Sequence, residues 1–158
     1  MNRRLYIVRH AKAAEAEQDH ERPLTFSGVE RTLELGGFLL RNGCRLDALF
    51  ASDSLRTRQT AENLAAAVGF PSERIVYDPA LYLTTEEAYF NVIVSLDETV
   101  HEVMIVGHNP EVSNLIHFFL PDFTSYMQTG ACACIGFEAE NWQSIFTAPH
   151  QLEYYFKA

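Results

Sequence analysis

Positive charge is what this chain of 158 residues has least of: 12 lysines and arginines stand against 21 aspartates and glutamates, a formal net charge of −9. An acidic chain repels a nucleic-acid backbone and no basic run breaks the balance, which excludes nucleic acid as a partner. Any arginine cluster that holds an anion must then work locally, against the average field. Cysteine is scarce as well. Cys44, Cys132 and Cys134 form an odd set with no C-x-x-C pair and no further ligands at zinc spacing, so no metal is expected. Cys132 and Cys134 lie two apart in an apolar run, share one face of a strand, and read as buried reduced thiols. Long apolar runs are missing, which excludes a membrane span. Asn2-Arg3-Arg4 leads into too few apolar residues for a signal peptide, so the expected compartment is the cytoplasm. Internal repeats and low-complexity segments are also absent. What is present is 47% hydrophobic residues, enough for one core, and a length that suits a single domain over residues 1–158.

Short apolar runs alternate with helical patterns. Leu5 to Val8, Asp47 to Ala51, Arg74 to Tyr77 and Glu102 to Val106 read as strands. Between them, a helix capped by Thr25 or Ser27 runs to about Asn42, with Val29, Leu33 and Leu40 on its apolar stripe, and Gly43 ends it. Further helices are predicted from Ser54 to Val68, Thr85 to Leu96 and Pro110 to Leu120. Cys132 to Phe137 and Gln143 to Phe146 look like antiparallel strands around a polar loop, with Gln151 to Phe156 as a last edge strand. Strands alternating with helices predict a three-layer α/β/α sandwich around a mostly parallel sheet, with ligands beyond the carboxyl ends of the strands.

Those ends carry the chemistry. The first strand ends in Arg9-His10-Ala11; the second ends in Ser52-Asp53-Ser54, and the helix behind it opens with Arg56; the fourth ends in Gly107-His108-Asn109. Arginine forks match phosphate oxygens, and a neutral imidazole serves as nucleophile or proton carrier. Taken singly, each feature has an ordinary reading: a solvated strand edge for Arg9-His10, a helix cap for Asn109 and Ser52, a surface ion pair for Arg56. Their convergence on one sheet edge is what points to a phosphate site.

The set Arg9-His10-Ala11, Ser52-x-x-x-Arg56-Thr57-x-Gln59-Thr60-Ala61 and Gly107-His108-Asn109 resembles the histidine phosphatase superfamily of phosphoglycerate mutase-like fold. Glu21-Arg22-Pro23-Leu24-Thr25-x-x-Gly28 and the short length resemble its small phosphohistidine phosphatase branch, the SixA type. The resemblance implies a phosphatase in which His10 becomes phosphorylated and is then hydrolysed, releasing inorganic phosphate, with no cofactor. Arg9, Arg56 and His108 would bind phosphate and act in catalysis. Arg22 would add a fourth cation, or pair in its loop with Glu21 or Asp19. Ser52 and Asn109 would contact phosphate or orient the arginines, or simply cap helices.

Two departures from the family pattern bear on substrate. Ala11 stands where the family has glycine, a small change that leaves room for phosphate. Larger members carry a glutamate acid in a Leu-x-Glu context, where this chain reads Leu81-Tyr82-Leu83 followed by Glu86 and Glu87, which fit the charged first turn of a helix. A site lacking that acid favours a phosphohistidine substrate over an alkyl ester. Large lid insertions are absent too, which suits a side chain displayed on a phosphorelay or phosphotransfer protein. The alternatives are a small-molecule phosphomonoesterase and a non-catalytic phosphate-binding module. His20, His101, His117 and His150 have no motif around them.

Overall fold

The computed structural model describes residues 1–157. Strands β1 (Arg3–Arg9), β2 (Ala48–Ser52), β3 (Val76–Asp78), β4 (Glu102–Gly107), β5 (Cys132–Phe137) and β6 (His150–Phe156) form one sheet in the order β3-β2-β4-β1-β5-β6. The run β3-β2-β4-β1 is parallel, and β5 is antiparallel to both β1 and β6. The helices are α1 (Phe26–Arg41), α2 (Leu55–Val68), α3 (Glu86–Val94) and α4 (Glu111–Phe119). None of the described helices is long and apolar enough to cross a membrane.

The layering follows from the alternation of side chains along central strands that are apolar on both faces. Leu5 and Ile7 of β1, with Val103 and Ile105 of β4, enter a core closed by α3 and α4. Tyr6 and Val8, with Met104 and Val106, enter a second core closed by α1 and α2. This is the α/β/α sandwich that the alternating pattern predicts. Cys44, Cys132 and Cys134 are free and buried in the second core, where burial pushes the thiols of Cys44 and Cys134 up to about 12.

Two sequence expectations fail for a physical reason. Gln143 to Phe146 is not a strand; the antiparallel partner of β5 is β6. Trp142 and Ile145 are fully buried, the Trp142 indole N–H donates to the Val100 carbonyl at 2.6 Å, and Asn141 Oδ1 accepts from Ser144 N at 3.0 Å. Burying two such side chains contributes about 1.5–3 kcal/mol each, more than the few ladder bonds of a short strand at about 0.5–1.5 kcal/mol. On α1, Val29, Leu33 and Leu40 face solvent, while Leu35 and Leu39 pack inward with Gly28, Thr32 and Gly36. Small residues build much of the packed face, and a Cβ on Gly36 would lie 2.5 Å from that of Ala67, so apolarity alone selects the wrong side.

For the site, register matters most. Arg9 pairs with Gly107 across β1 and β4, and Ala51 with Val106 across β2 and β4. The carboxyl ends of three parallel strands therefore meet at one mouth, where the chain order reverses.

Candidate active site

His10 and His108 leave the ends of β1 and β4 side by side, with ring centroids 5.4 Å apart. The His10 backbone is pinned by its N–H to the Gly107 carbonyl at 3.1 Å and by Gly130 N–H on its own carbonyl at 3.0 Å. Its Nδ1 lies 2.7 Å from the Ala11 carbonyl oxygen. A carbonyl only accepts, so Nδ1 carries the proton and Nε2 keeps the lone pair. Burial, more than the arginines, drives the His10 imidazole down to about 3; His108, Arg56 and Arg9 add to the effect. The ring is neutral at physiological pH.

His108 is set by the same logic. The Arg56 guanidinium can only donate, and its Nη2 lies 3.5 Å from His108 Nδ1. Nε2 therefore carries the proton and donates to Ser52 Oγ at 2.8 Å. Burial first, and Arg56 second, take this ring down to about 4. Its backbone N–H donates to the Tyr89 hydroxyl at 3.2 Å, and Gly107 is required just before it because a Cβ there would strike the Tyr89 ring.

The motif on α2 positions rather than reacts. Thr57 Oγ1 donates to the Ser52 carbonyl at 2.6 Å, Thr60 Oγ1 accepts the Ala11 N–H at 3.0 Å, and Gln59 Oε1 accepts the Leu24 N–H at 2.8 Å. Arg56, on the same turn, points two nitrogens at Asp19: Nη1 to the carbonyl at 2.8 Å and Nη2 to Oδ2 at 3.0 Å. Arg9 Nη1 donates to the Met127 carbonyl at 3.0 Å. The Nε donors of Arg9 and Arg56 are both buried with no hydrogen-bond partner, as expected of groups arranged to receive an anion.

Together Arg9, His10, Arg56 and His108 line a cavity of about 460 Å³. Arg22 lines it too, while donating from Nε to the Ala14 carbonyl at 3.0 Å and from Nη1 to Asp19 Oδ1 at 3.2 Å, so it pairs in its loop as one reading expects and also reaches the cavity wall. Ser52 does not face the cavity; it is fully buried and orients His108 instead of an arginine. Asn109 reaches the cavity wall, but its amide donates to the Met127 carbonyl at 2.7 Å and its Oδ1 accepts from Ser113 Oγ at 2.6 Å, a capping role. Glu86 bonds Asn114, away from the cavity, and the side chains presented to it after β3 are Tyr82 and Leu83, the latter at a φ of 50°. Among the described residues, no group of three or more His, Cys, Asp or Glu side chains is disposed to hold a metal ion.

Among the cavity residues that the motifs do not flag are Lys12, Asp19, Tyr82 and Glu111. Asp19 holds Arg56. Tyr82 donates to Asp19 Oδ2 at 2.6 Å, lies edge-on to His108 and stands 6.0 Å from the Arg56 guanidinium. Behind it, His20 meets Asp53 at 3.1 Å. Glu111, in the first turn of α4, reaches the cavity from the other histidine's helix. Tyr82 and Asp19 meet across 63 residues of chain, so spacing could not reveal them. Glu111 reads in sequence as an ordinary helix-start acid.

Comparison with known proteins decides the family. The histidine phosphatase superfamily (branch 1) model matches residues 5–82, the stretch that carries Arg9-His10 and the Arg56 motif. The chain belongs to this superfamily. It is a phosphatase. Across 149 residues it is 28% identical to phosphohistidine phosphatase SixA of Escherichia coli K12, covering 88% of this chain and 91% of that protein. A solved structure assigned as SixA of Agrobacterium tumefaciens superposes with a TM-score of 0.83 at 25% identity, over 100% of both chains. The fold alone is shared with the alpha-ribazole phosphatase of Shigella flexneri, at a TM-score of 0.66 and 16% identity over 87% of this chain and 92% of that one.

Proposed function

We propose that the protein removes phosphate from phosphohistidine on a phosphorelay or phosphotransfer protein in the cytoplasm, through a phosphorylated His10. The observation that carries this reading is the His10 tautomer. A ring held neutral by burial, with Nδ1–H fixed on the Ala11 carbonyl, offers Nε2 as a lone pair in a cavity lined by cations. Nε2 attacks phosphorus, and the bond to the leaving nitrogen breaks. Arg9 and Arg56, joined by Arg22, meet the charge on the phosphoryl oxygens as it redistributes toward the transition state. Water then attacks the phosphorus on His10, the P–N bond gives its electron pair back to Nε2, and inorganic phosphate leaves. His108, neutral and steadied by Ser52, stands beside the phosphoryl position with its Nδ1 turned to Arg56.

The likeness to SixA supports phosphohistidine as the substrate. So does the rim: Leu83 is 82% exposed where it lines the cavity, so the mouth opens to solvent and can receive a side chain projecting from another protein. The test is trapping of acid-labile phosphate from a phosphohistidine-bearing domain onto wild type and His10→Ala. Label is expected on the wild type and absent from the variant. Label retained by His10→Ala, or none on the wild type, overturns the reading.

A further inference from the structure

One acidic group in the cavity has no part in the chemistry described so far. Glu111 is 8% exposed yet lines the cavity, and its Oε2 is buried without a hydrogen-bond partner. A glutamate recruited only to stabilise a helix start sits in water and faces the helix dipole as an anion. Burying an unpartnered carboxylate is costly unless the group takes up a proton. Nothing cationic pairs with Glu111, and Glu86 on α3 adds a like charge; burial and that charge hold its carboxyl above the ordinary range, against a pull from its own backbone N–H. A buried, unpartnered carboxyl that lines a phosphate cavity and has its pKa raised is placed to act as a proton donor.

The other groups nearby are already committed. Asp19 accepts from Tyr82, Arg56 and Arg22, which keep it ionised. His108 has given its only N–H to Ser52.

We propose that Glu111 protonates the leaving group and then takes the proton of the hydrolytic water; this rests on the reading of His10 as nucleophile. In the first step, His10 Nε2 bonds to phosphorus and the bond to the leaving atom breaks. The electron pair stays on that atom, which takes the proton of Glu111. In the second step, water oxygen bonds to phosphorus and gives a proton to the Glu111 carboxylate, while the P–N electron pair returns to His10. Glu111 ends protonated, as it began. With an acid supplied from α4, the empty Leu-x-Glu position after β3 no longer bears on the choice of substrate.

A proton donor must be charged with its proton, so activity that depends on Glu111 falls as pH rises through its raised pKa. The groups facing it are Glu86 and Tyr89 from α3, and across the cavity Arg9, His10, Lys12, Arg22, Arg56, Tyr82, His108 and Asp19. Burial pushes Tyr89 upward and His108 downward, and Asp19 is held down by its donors, which leaves Glu86 as the neighbour whose charge couples to Glu111.

The experiment compares wild type and Glu111→Gln on phenyl phosphate, whose leaving oxygen needs a proton, and on 4-nitrophenyl phosphate, whose stabilised anion does not. The kcat/KM on phenyl phosphate should fall about 100-fold in the variant, and on 4-nitrophenyl phosphate by less than about threefold. The alkaline limb of the phenyl phosphate profile should vanish. A burst of 4-nitrophenol should also appear, because breakdown of phosphorylated His10 becomes slow without the base. Equal losses on both esters, or no loss on phenyl phosphate, overturn the proposal. If Glu111→Gln does not fold, Glu111→Asp must show the steeper leaving-group dependence or the proposal fails. Phosphate trapped on His10 in the same preparations separates this outcome from failure of the nucleophile reading.

Discussion

Asp19 and Glu111 line one cavity, and their surroundings move the pKa values of their carboxyls in opposite directions. Asp19 sits half-exposed in the loop before α1, yet the Tyr82 hydroxyl at 2.6 Å, Arg56 at 3.0 Å and Arg22 at 3.2 Å hold its carboxyl well below the usual carboxylate range. Glu111 is the more buried and has no donor but its own backbone, and its carboxyl moves the other way. Partners, not residue type, separate the two roles. One carboxylate is a strut for an arginine. The other is a store for a proton.

The strut can be broken from either end. Arg56→Ala removes a phosphoryl ligand and the Asp19 partner together, and kcat/KM in steady-state assays should fall about 10²–10³-fold. Asp19→Asn keeps the shape and an acceptor oxygen but removes the charge, so Arg56 is held by neutral hydrogen bonds in place of an ion pair; a smaller loss, about tenfold, is expected. The same variant has a stability signature. The folded pKa of Asp19 lies below its unfolded value, so ionised Asp19 contributes stability above the ordinary carboxylate pKa and loses it as pH falls toward the folded value. Thermal melts of wild type and Asp19→Asn should therefore differ most at neutral pH and converge as pH drops from about 5 to about 2. A gap that widened in acid would show that the carboxylate is not stabilised by its donors.

The smallest effect is a flat line. With His10 held down to about 3 and His108 to about 4, both rings are already neutral above those values. On 4-nitrophenyl phosphate, whose leaving group needs no proton from Glu111, the acid limb of wild-type kcat/KM should appear only as pH falls through about 4, with no histidine limb between about pH 5 and 7. A limb at the ordinary histidine value would mean that the free enzyme protonates a ring the cavity is built to keep neutral.

Much of this was legible in the sequence because it is local or topological. The apolar runs that became β1, β2, β4 and β5, and the helices between them, follow periodicity. Arg9, His10, Arg56 and His108 could be gathered at one mouth because parallel strands deliver their carboxyl ends to the same edge. What escaped depends on the chain folding back. Asp19 finds Arg56 across 37 residues, and only the final packing of the loop shows that it clamps the arginine. Ser52 looked like a phosphate contact because it ends a strand, but its hydroxyl turns beneath His108. Glu111 carries no sequence signal, since what distinguishes it from any helix-start glutamate is that one carboxyl oxygen is buried without a hydrogen-bond partner.

Tyr89 is fully buried between β4 and the turn after β3. Its hydroxyl takes the His108 backbone N–H at 3.2 Å and donates to the Leu81 carbonyl at 3.2 Å, directly before Tyr82. A single buried phenol thus works as a spacer bar between the strand end that carries one histidine and the turn that carries the tyrosine clamping Asp19. The width of the mouth is set when the chain folds, not when a phosphoryl group arrives. Ordering entropy is spent once, in folding, and each turnover meets a gauge already set.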